Sequence, residues 1–312
     1  MTKKDLDHIP VLLSETVTGL AIKPAGFYID GTFGRGGHSK MILAALSSKG
    51  NVLALDKDPE AIRAGEALAL EDERFKIKQC SFATLNEVVK ARAWQGKVDG
   101  ILLDIGVSSP QLDIAERGFS FQKDGPLDMR MNPGAGISAA EWLATAEMLD
   151  IERVLKTLGE ERFGKRIARA IVEARDTTAL TTTKQLAALV EKASPFRERN
   201  KHPATRTFQA IRIHINNELG ELTEALQQAV DALAVGGRLA VISFHSLEDR
   251  IVKRFFRDQA KGDDLPSYFP IRADQLNPSI KLIGKAIKAS EKELSVNPRA
   301  RSAVLRIVEK MT

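Results

Sequence analysis

Residues 28–39 read YIDGTFGRGGHS. An apolar run, Phe27 to Ile29, closes in Asp30. Gly31, Gly34, Gly36 and Gly37 follow, and then an apolar, helix-like run from Met41 to Leu46. A strand that ends in a glycine-rich turn and feeds a helix is the entry of a nucleotide-type fold. Glycine suits that turn because the backbone bends sharply and approaches a ligand closely, and a Cβ would obstruct both. The same pattern also occurs as a purely structural strand-to-helix turn.

The spacing narrows the ligand. A dinucleotide fingerprint places glycine or alanine three residues after its second glycine. Counted from Gly34 and Gly36, that position is Ser39. Asp30 stands just before the glycines, where its carboxylate would repel a pyrophosphate. S-adenosylmethionine has no phosphate and carries a sulfonium and an ammonium group. On charge grounds the loop favours S-adenosylmethionine over NAD, and Asp30, Gly34, Gly36 and Gly37 become candidate cofactor residues.

Further strands follow in the same pattern. Asn51–Asp56 (NVLALD) is a second buried strand, followed by a helix over Glu60–Ala69 with Pro59 in its first turn. Asp56 closes this strand about twenty residues after the glycines, where an acid holds a ribose diol in such folds. Its alternative role is helix capping, for which Asp58 is better placed. Arg74–Gln79 alternates like a third strand. Phe82, just past its end, is either a stacking face for an adenine ring or a core residue. Val98–Asp104 (VDGILLD) is a fourth strand, apolar enough to be buried on both faces. It ends in Asp104 and runs into Ser108, Ser109 and Pro110. Ligands gather at the carboxyl ends of such strands, so these residues point to chemistry. Arg238–Phe244 is a fifth strand, after a long helix from the 202–215 region that Gly236-Gly237 should stop near Ala234. His245 follows it on the same edge as Asp104, and Ser246 is the expected cap of the next helix, Leu247–Arg257. Ser14 is the expected cap of a helix in 8–20, and His8 reads as a surface or packing residue. Residues 258–280 read as an irregular polar loop. Lys281–Ile283 and Ser302–Val308 can pair as terminal strands.

Between the fourth and fifth strands the texture is helical. Ser138 caps a helix over Ala139–Ala146; further helices are expected over Leu149–Leu158, Arg162–Ala174 and Thr183–Glu191. Residues 112–205 therefore read as a helical insert, with 1–111 and 206–312 forming the sheet domain. Residues 161–212 hold twelve Lys and Arg against five Asp and Glu, whereas the whole chain carries only +5. Such clustering is an electrostatic footprint for phosphate or, alternatively, a solvated helix face. Arg166, Arg169 and Arg206 are the candidate RNA contacts.

At 312 residues one or two domains are expected. A single cysteine, Cys80, excludes an internal disulfide framework and a cysteine-based zinc site. No apolar window is long enough for a membrane span, and the charged N-terminus lacks a signal-peptide pattern. These features suit a cytoplasmic protein with no membrane or metal partner, as a monomer or homodimer.

The motifs DGTFGRGGH (30–38), DIGVSSPQL (104–112), RGFSFQKDGPLDMR (117–130), EERFGKRIAR (160–169), HPATRTFQAI (202–211) and SFHSLEDR (243–250) resemble the bacterial ribosomal RNA small-subunit methyltransferase H family. The likeness runs from about His8 to Val308. It implies an α/β fold, a Rossmann-like S-adenosylmethionine-dependent methyltransferase sheet with an inserted all-helical domain that recognises substrate. It implies methylation of the exocyclic N4 of a cytosine in the decoding region of 16S rRNA within the small ribosomal subunit. Carried over by position, Gly36, Gly37, His38, Asp56, Phe82, Asp104 and Gln111 fall at the cofactor; His38 and Gln111 come from the resemblance alone. Many amino-methyltransferases carry a Pro-Pro-aromatic motif after the fourth strand, but here the stretch is Ser108-Ser109-Pro110-Gln111. A stacking ring for the target base would then come from elsewhere, with Phe119 and Phe121 as candidates. Asp104, Ser108, Ser109 and His245 are the candidate catalytic residues. An NAD-dependent oxidoreductase and a non-catalytic RNA-binding assembly factor are the alternatives from other classes.

Overall fold

The computed structural model describes residues 10–196, 202–262 and 277–312. His8, residues 197–201 of the basic stretch and the middle of the 258–280 loop lie outside the described residues. The strands are β1 (Phe27–Asp30), β2 (Asn51–Asp56), β3 (Phe75–Gln79), β4 (Val98–Asp104), β5 (Leu233–Ser243), β6 (Ile280–Leu282), β7 (Ile287–Lys288) and β8 (Val304–Lys310). They form one sheet in the order β3-β2-β1-β4-β5-β8-β6, with β7 also pairing to β8. β1 to β5 are mutually parallel where they pair, and β8 runs antiparallel to β5 and β6.

Alternation along the strands sorts the side chains to two faces. Ile29, Leu53, Leu55, Ile101 and Leu103 enter one apolar cluster; Tyr28, Val52, Ala54 and Leu102 enter the other. Both faces are covered, so the central strands are apolar throughout and polar chemistry appears only at their ends. The order reverses between β1 and β4, which are hydrogen-bonded neighbours. That switch point opens a crevice at the carboxyl ends of the two strands, at Asp30 and Asp104.

The first helices are α1 (Leu13–Leu20), α2 (Gly37–Ala45), α3 (Pro59–Glu71) and α4 (Leu85–Ala91). Asp58 caps α3, its Oδ1 accepting from Glu60 N at 2.9 Å, as its place before Pro59 predicts. Ser14 does not cap α1. Leu12 holds that position in a left-handed conformation, and its N–H donates to Glu293 Oε1 at 2.8 Å. A distant carboxylate replaces the local cap, which no local sequence signal announces.

Residues Val107–Glu218 form a second compact unit, inserted between Met1–Gly106 and Leu219–Thr312 of the sheet unit. It holds α5 (Ser109–Asp113), α6 (Ala139–Thr145), α7 (Met148–Leu158), α8 (Gly164–Arg175), α9 (Thr183–Ala193) and α10 (Ala204–Asn216). Ser138 caps α6 through a reciprocal bond with Glu141. The sequence-based boundary at 205 gave α10 to the sheet domain. Ala204, Phe208, Ala210 and Ile211 instead bury in the core of the helical unit with Ile151, Leu155, Ile167 and Leu186. The single long helix expected there is two helices, α10 and α11 (Glu218–Ala232), broken at Asn217 with φ 50°. Gly236 and Gly237 lie inside β5, which starts at Leu233 in register with Val98. The chain ends through α12 (Ser246–Lys261) and α13 (Glu291–Val296).

Gly118, at φ 73°, is a position where only glycine fits. A Cβ there would lie 2.3 Å from Pro126 O and 2.6 Å from Asp128 N, both rigid backbone atoms. The left-handed penalty for other residues is about 1–2 kcal/mol, and overpacking adds about 1–3 kcal/mol. Gly118→Ala is expected to destabilise the helical unit by about 2 kcal/mol or more in denaturant unfolding; an unchanged midpoint would show that this loop relaxes freely.

Candidate active site

Asp30 is almost wholly buried at the end of β1. Its Oδ2 accepts from Ser39 Oγ at 2.6 Å and its Oδ1 from Thr32 N at 3.1 Å. Ser39, the residue that breaks the dinucleotide spacing, is itself fully buried and holds α2 to this carboxylate. Gly34 and Gly36 adopt φ 55° and 75°, and α2 starts at Gly37. Nothing lies within 4 Å of the place a Cβ on Gly34 would take, so open space faces this backbone. Asp56 Oδ2 accepts from Gly34 N at 2.8 Å and its Oδ1 from Asp58 N at 2.9 Å. The carboxylate thus joins the glycine loop to the turn before α3, where the Lys57 backbone also interacts with it.

At the end of β4, Asp104 takes the backbone position opposite. Its N–H donates to Thr32 Oγ1 at 2.7 Å. The side chain is 23% exposed, yet Oδ1 is buried and has no hydrogen-bond partner. His38 is buried with Nε2 3.2 Å from Val11 O and Nδ1 3.6 Å from Asp104 Oδ2. Burial pushes the His38 imidazole down to about 4, so it is neutral at neutral pH. Burial, with Asp30 and Glu248 nearby, pushes the Asp104 carboxyl well above the usual range. Burial also raises Asp56. Phe82 sits half-buried in a short turn of helix after β3, its Cβ 3.3 Å from where a Cβ on Gly31 would be. A cationic ligand fits this donor set: buried carboxylates, one orphaned oxygen, and a glycine turn with open space before it.

His245 has a structural task that Ser246 was expected to perform. It caps α12, with Nδ1 accepting from Glu248 N at 3.4 Å, while Ser246 is the first helical residue. Glu248, fully buried, accepts from Phe244 N at 2.8 Å and His245 N at 3.2 Å, and its Oε1 lies 3.0 Å from His245 Nε2. His245 is therefore spoken for by the turn that ends β5. No local signal marks Glu248, three residues on, as the partner.

The remaining candidates lie in the helical unit. Ser108 precedes α5, and its N–H donates to Gln111 Oε1 at 2.9 Å, so Gln111 serves a capping box. Ser109 is a half-buried residue on the first turn of α5. Phe119 is buried under the Arg117 guanidinium, and Phe121 packs on His202 and Phe208 at ring distances of 4.6 and 4.9 Å. Both rings are therefore engaged inside this unit. Arg162, Lys165, Arg166 and Arg169 are exposed along one face of α8 and the turn before it. Arg175 donates to Leu143 O and Ala146 O, and Arg212 pairs doubly with Glu218, so neither belongs to the surface charge. Arg206 lines a cavity of about 80 Å³ with Arg162, Phe163, Phe196 and His202. Among the described residues no helix is long and apolar enough to cross a membrane.

A family profile described as the MraW methylase family matches residues 5–311. A curated relative, the ribosomal RNA small subunit methyltransferase H of Nitrosococcus oceani, is 61% identical over 306 residues, covering 98% of this chain and 97% of its own. Among solved structures, an rRNA methylase from Streptococcus thermophilus aligns at 12% identity and a TM-score of 0.43, covering 98% of this chain and 99% of its own. NSun6 from Pyrococcus horikoshii aligns at 16% identity and a TM-score of 0.46, covering 100% and 56%.

Asp30 yields a test of the buried charge. Burial outweighs the hydrogen bonds from Ser39 and Thr32 and raises its carboxyl from 3.8 to about 6. Between those values the folded protein binds more protons than the unfolded chain, so this group's contribution to stability falls as pH rises through that window. The difference corresponds to about 3 kcal/mol at most. Asp30→Asn keeps the shape and cannot ionise. It is expected to be more stable than wild type above about pH 6, with the gain vanishing as pH falls towards 4. Thermal unfolding across that range decides; an equal gain at both ends would assign the effect to packing.

Proposed function

The chain belongs to the MraW methylase family, and from that membership we infer that it transfers a methyl group from S-adenosylmethionine to the exocyclic N4 of a cytosine in 16S rRNA. The observation that carries the cofactor assignment in this chain's own residues is the orphaned Oδ1 of Asp104 beside the buried carboxyl of Asp30, at the switch point of the sheet. Among the described residues neither acid has a Lys or Arg partner, and such a pair suits a cation and repels a pyrophosphate.

When bound, S-adenosylmethionine supplies a methyl carbon attached to a positively charged sulfur. Asp30 and Asp104 would hold the positive charge, and Gly34, Gly36 and Gly37 let the backbone approach. Asp56 would accept from the ribose, and Phe82 would offer its ring face to the adenine. The target amine is a weak nucleophile because its lone pair is delocalised into the cytosine ring. Acceptors on its N–H groups localise that pair and stabilise the charge that forms on nitrogen. Ser109, with the backbone carbonyls of the 104–111 loop, is our candidate for this, and Ser108 holds the start of α5 in place. Asp104 is a second candidate acceptor. A paired target base would have to leave its stack first.

We assign substrate recognition to the helical unit and place the reaction in the cytoplasm. The exposed face of α8 supports the first point. Lys165 and Arg166 stand in the first turn, where the helix dipole disfavours cations, and no acid offsets them there. A face that works against its own helix suits phosphate. Arg206, which reaches Glu160 O at 3.4 Å, is the weaker candidate.

Methyl transfer from labelled S-adenosylmethionine to small-subunit particles, followed by nucleoside analysis, tests the whole reading; label on any nucleoside other than an N4-methylated cytidine overturns it. Replacing Arg166 and Arg169 together by Ala should weaken RNA binding and reduce its log–log salt slope by about two, with cofactor affinity unchanged. An unaltered slope would leave this face merely solvated. Ser109→Ala should slow single-turnover transfer with saturating cofactor and RNA by up to about 10²-fold, an upper guide for a neutral hydroxyl. A wild-type rate would pass the accepting role to the backbone carbonyls.

A further inference from the structure

Thr32 stands between the two acids of the crevice. Its N–H donates to Asp30 Oδ1 at 3.1 Å, its hydroxyl interacts with the same carboxyl, and its Oγ1 accepts from Asp104 N at 2.7 Å. One side chain therefore ties the ends of β1 and β4 together. The groups that face Asp104 come from each element packed on it: Asp30 from β1, His38 from α2 and Glu248 from α12. Asp56, from β2, acts on Asp30 in turn. Among the described residues the ion-pair partner within reach of Asp104 is His38, and Asp30 has no cationic partner.

His38 cannot neutralise the pair. Its Nε2 faces the carbonyl of Val11 and so carries the proton of the neutral ring, which leaves a lone pair on Nδ1. That lone pair lies 3.6 Å from Asp104 Oδ2. A lone pair beside a carboxylate is repulsive, whereas beside a carboxylic acid it is an acceptor in waiting. Two carboxyls at strand ends that Thr32 ties together through the Asp104 backbone, one almost wholly buried and the other with an orphaned buried oxygen, and with no Lys or Arg partner among the described residues, resist ionising together.

We infer that Asp30 and Asp104, at strand ends that Thr32 positions, form a pair that keeps one proton until a cation enters, and that S-adenosylmethionine expels this proton as it binds. The inference rests on the reading of this crevice as the cofactor site. In the exchange, one carboxyl O–H bond breaks, the proton passes to the buffer, and the carboxylate charge remains opposite the ligand. The raised carboxyls of Asp30 and Asp104 agree with a proton held near neutral pH. A specificity follows. S-adenosylmethionine carries both a sulfonium and an ammonium, whereas the spent product S-adenosylhomocysteine carries only the ammonium. The substrate should therefore expel more of the proton than the product, and higher pH should favour the substrate in competition between them.

Titration calorimetry of the full chain tests this between about pH 6 and 8, in pairs of buffers with low and high ionisation enthalpy. With S-adenosylmethionine the apparent enthalpy should differ between paired buffers, reporting release of up to about one proton. The Kd should fall as pH rises, by at most about tenfold per pH unit. S-adenosylhomocysteine should show a smaller effect in both. Asp104→Asn should bind more weakly and lose most of the buffer dependence. Thr32→Val keeps the volume and removes the hydroxyl, so proton release should change; Thr32→Ser should restore it. Binding of S-adenosylmethionine with the same enthalpy in every buffer overturns the inference and leaves the cofactor assignment standing. A folded chain that binds no S-adenosylmethionine at any pH overturns both. Wild-type proton release in Thr32→Val removes threonine from the pair, and should that variant not fold, the Asp104→Asn comparison decides alone.

Discussion

The bond from Ser39 Oγ to Asp30 Oδ2 crosses from the first helical turn of α2 to the last residue of β1. It fixes where α2 begins, and with it the path of the glycine turn between them. A buried carboxylate needs donors, and nearby are the Ser39 hydroxyl and both the backbone N–H and the hydroxyl of Thr32. A residue such as Ala at 39 would give the usual dinucleotide spacing but strip Asp30 of its shortest bond. The departure from that spacing and the acid before the glycines are thus one feature. The first exists to satisfy the second.

Asp56 repeats the same economy on the neighbouring strand. Its two oxygens hold the glycine turn on one side and the start of α3 on the other. If Asp56 also holds the ribose as proposed, site and scaffold use the same carboxylate, and a change there disturbs backbone and ligand together. Asp30 differs, because an amide can keep its contacts while shedding its charge. The cost of that charge is borne by the fold and recovered only when a cation enters the crevice.

Strands β1, β2 and β4 were legible because buried parallel strands are apolar runs with sharp ends, and each ends in an acid. The candidate site residues at those ends stood out for the same reason, as acids closing apolar runs, although Asp30 and Asp56 also hold the glycine turn and the helix starts beside it. Helix starts were less legible where tertiary contacts replaced local caps. Glu293, far along the chain, satisfies Leu12 N; at α12 the difference is local, a capping box set one residue early between His245 and Glu248 in place of a Ser246 cap. The break at Asn217 carries no proline or glycine; a left-handed asparagine tolerates the turn, and Asn216 behind it bonds to Met129 O and Met131 N. Thr32 escaped notice because a threonine in a glycine loop has no distinctive pattern. Its position directly after Asp30-Gly31 is the one signal that could have found it. Charge counting overstated the basic surface, since a count cannot tell a guanidinium that closes a helix end, as Arg175 does, from one that faces solvent.

What survives that correction is more informative than the count. Arg162, Lys165, Arg166 and Arg169 recur at helical spacing on the solvent side of α8, while Ile167, Ala168 and Ile171 fill the core side. The core side alone would anchor the helix, so stability does not require cations opposite it. Lys165 and Arg166 stand in the first turn, where the positive end of the dipole repels them. The same dipole adds to their attraction for an anion, because exposed N–H groups and cations then point to one place. A phosphate backbone offers the opposite charge at regular spacing, and its condensed counterions are released as the cations replace them. The arrangement that weakens the helix alone is therefore the one that our reading of this face as an RNA contact would require.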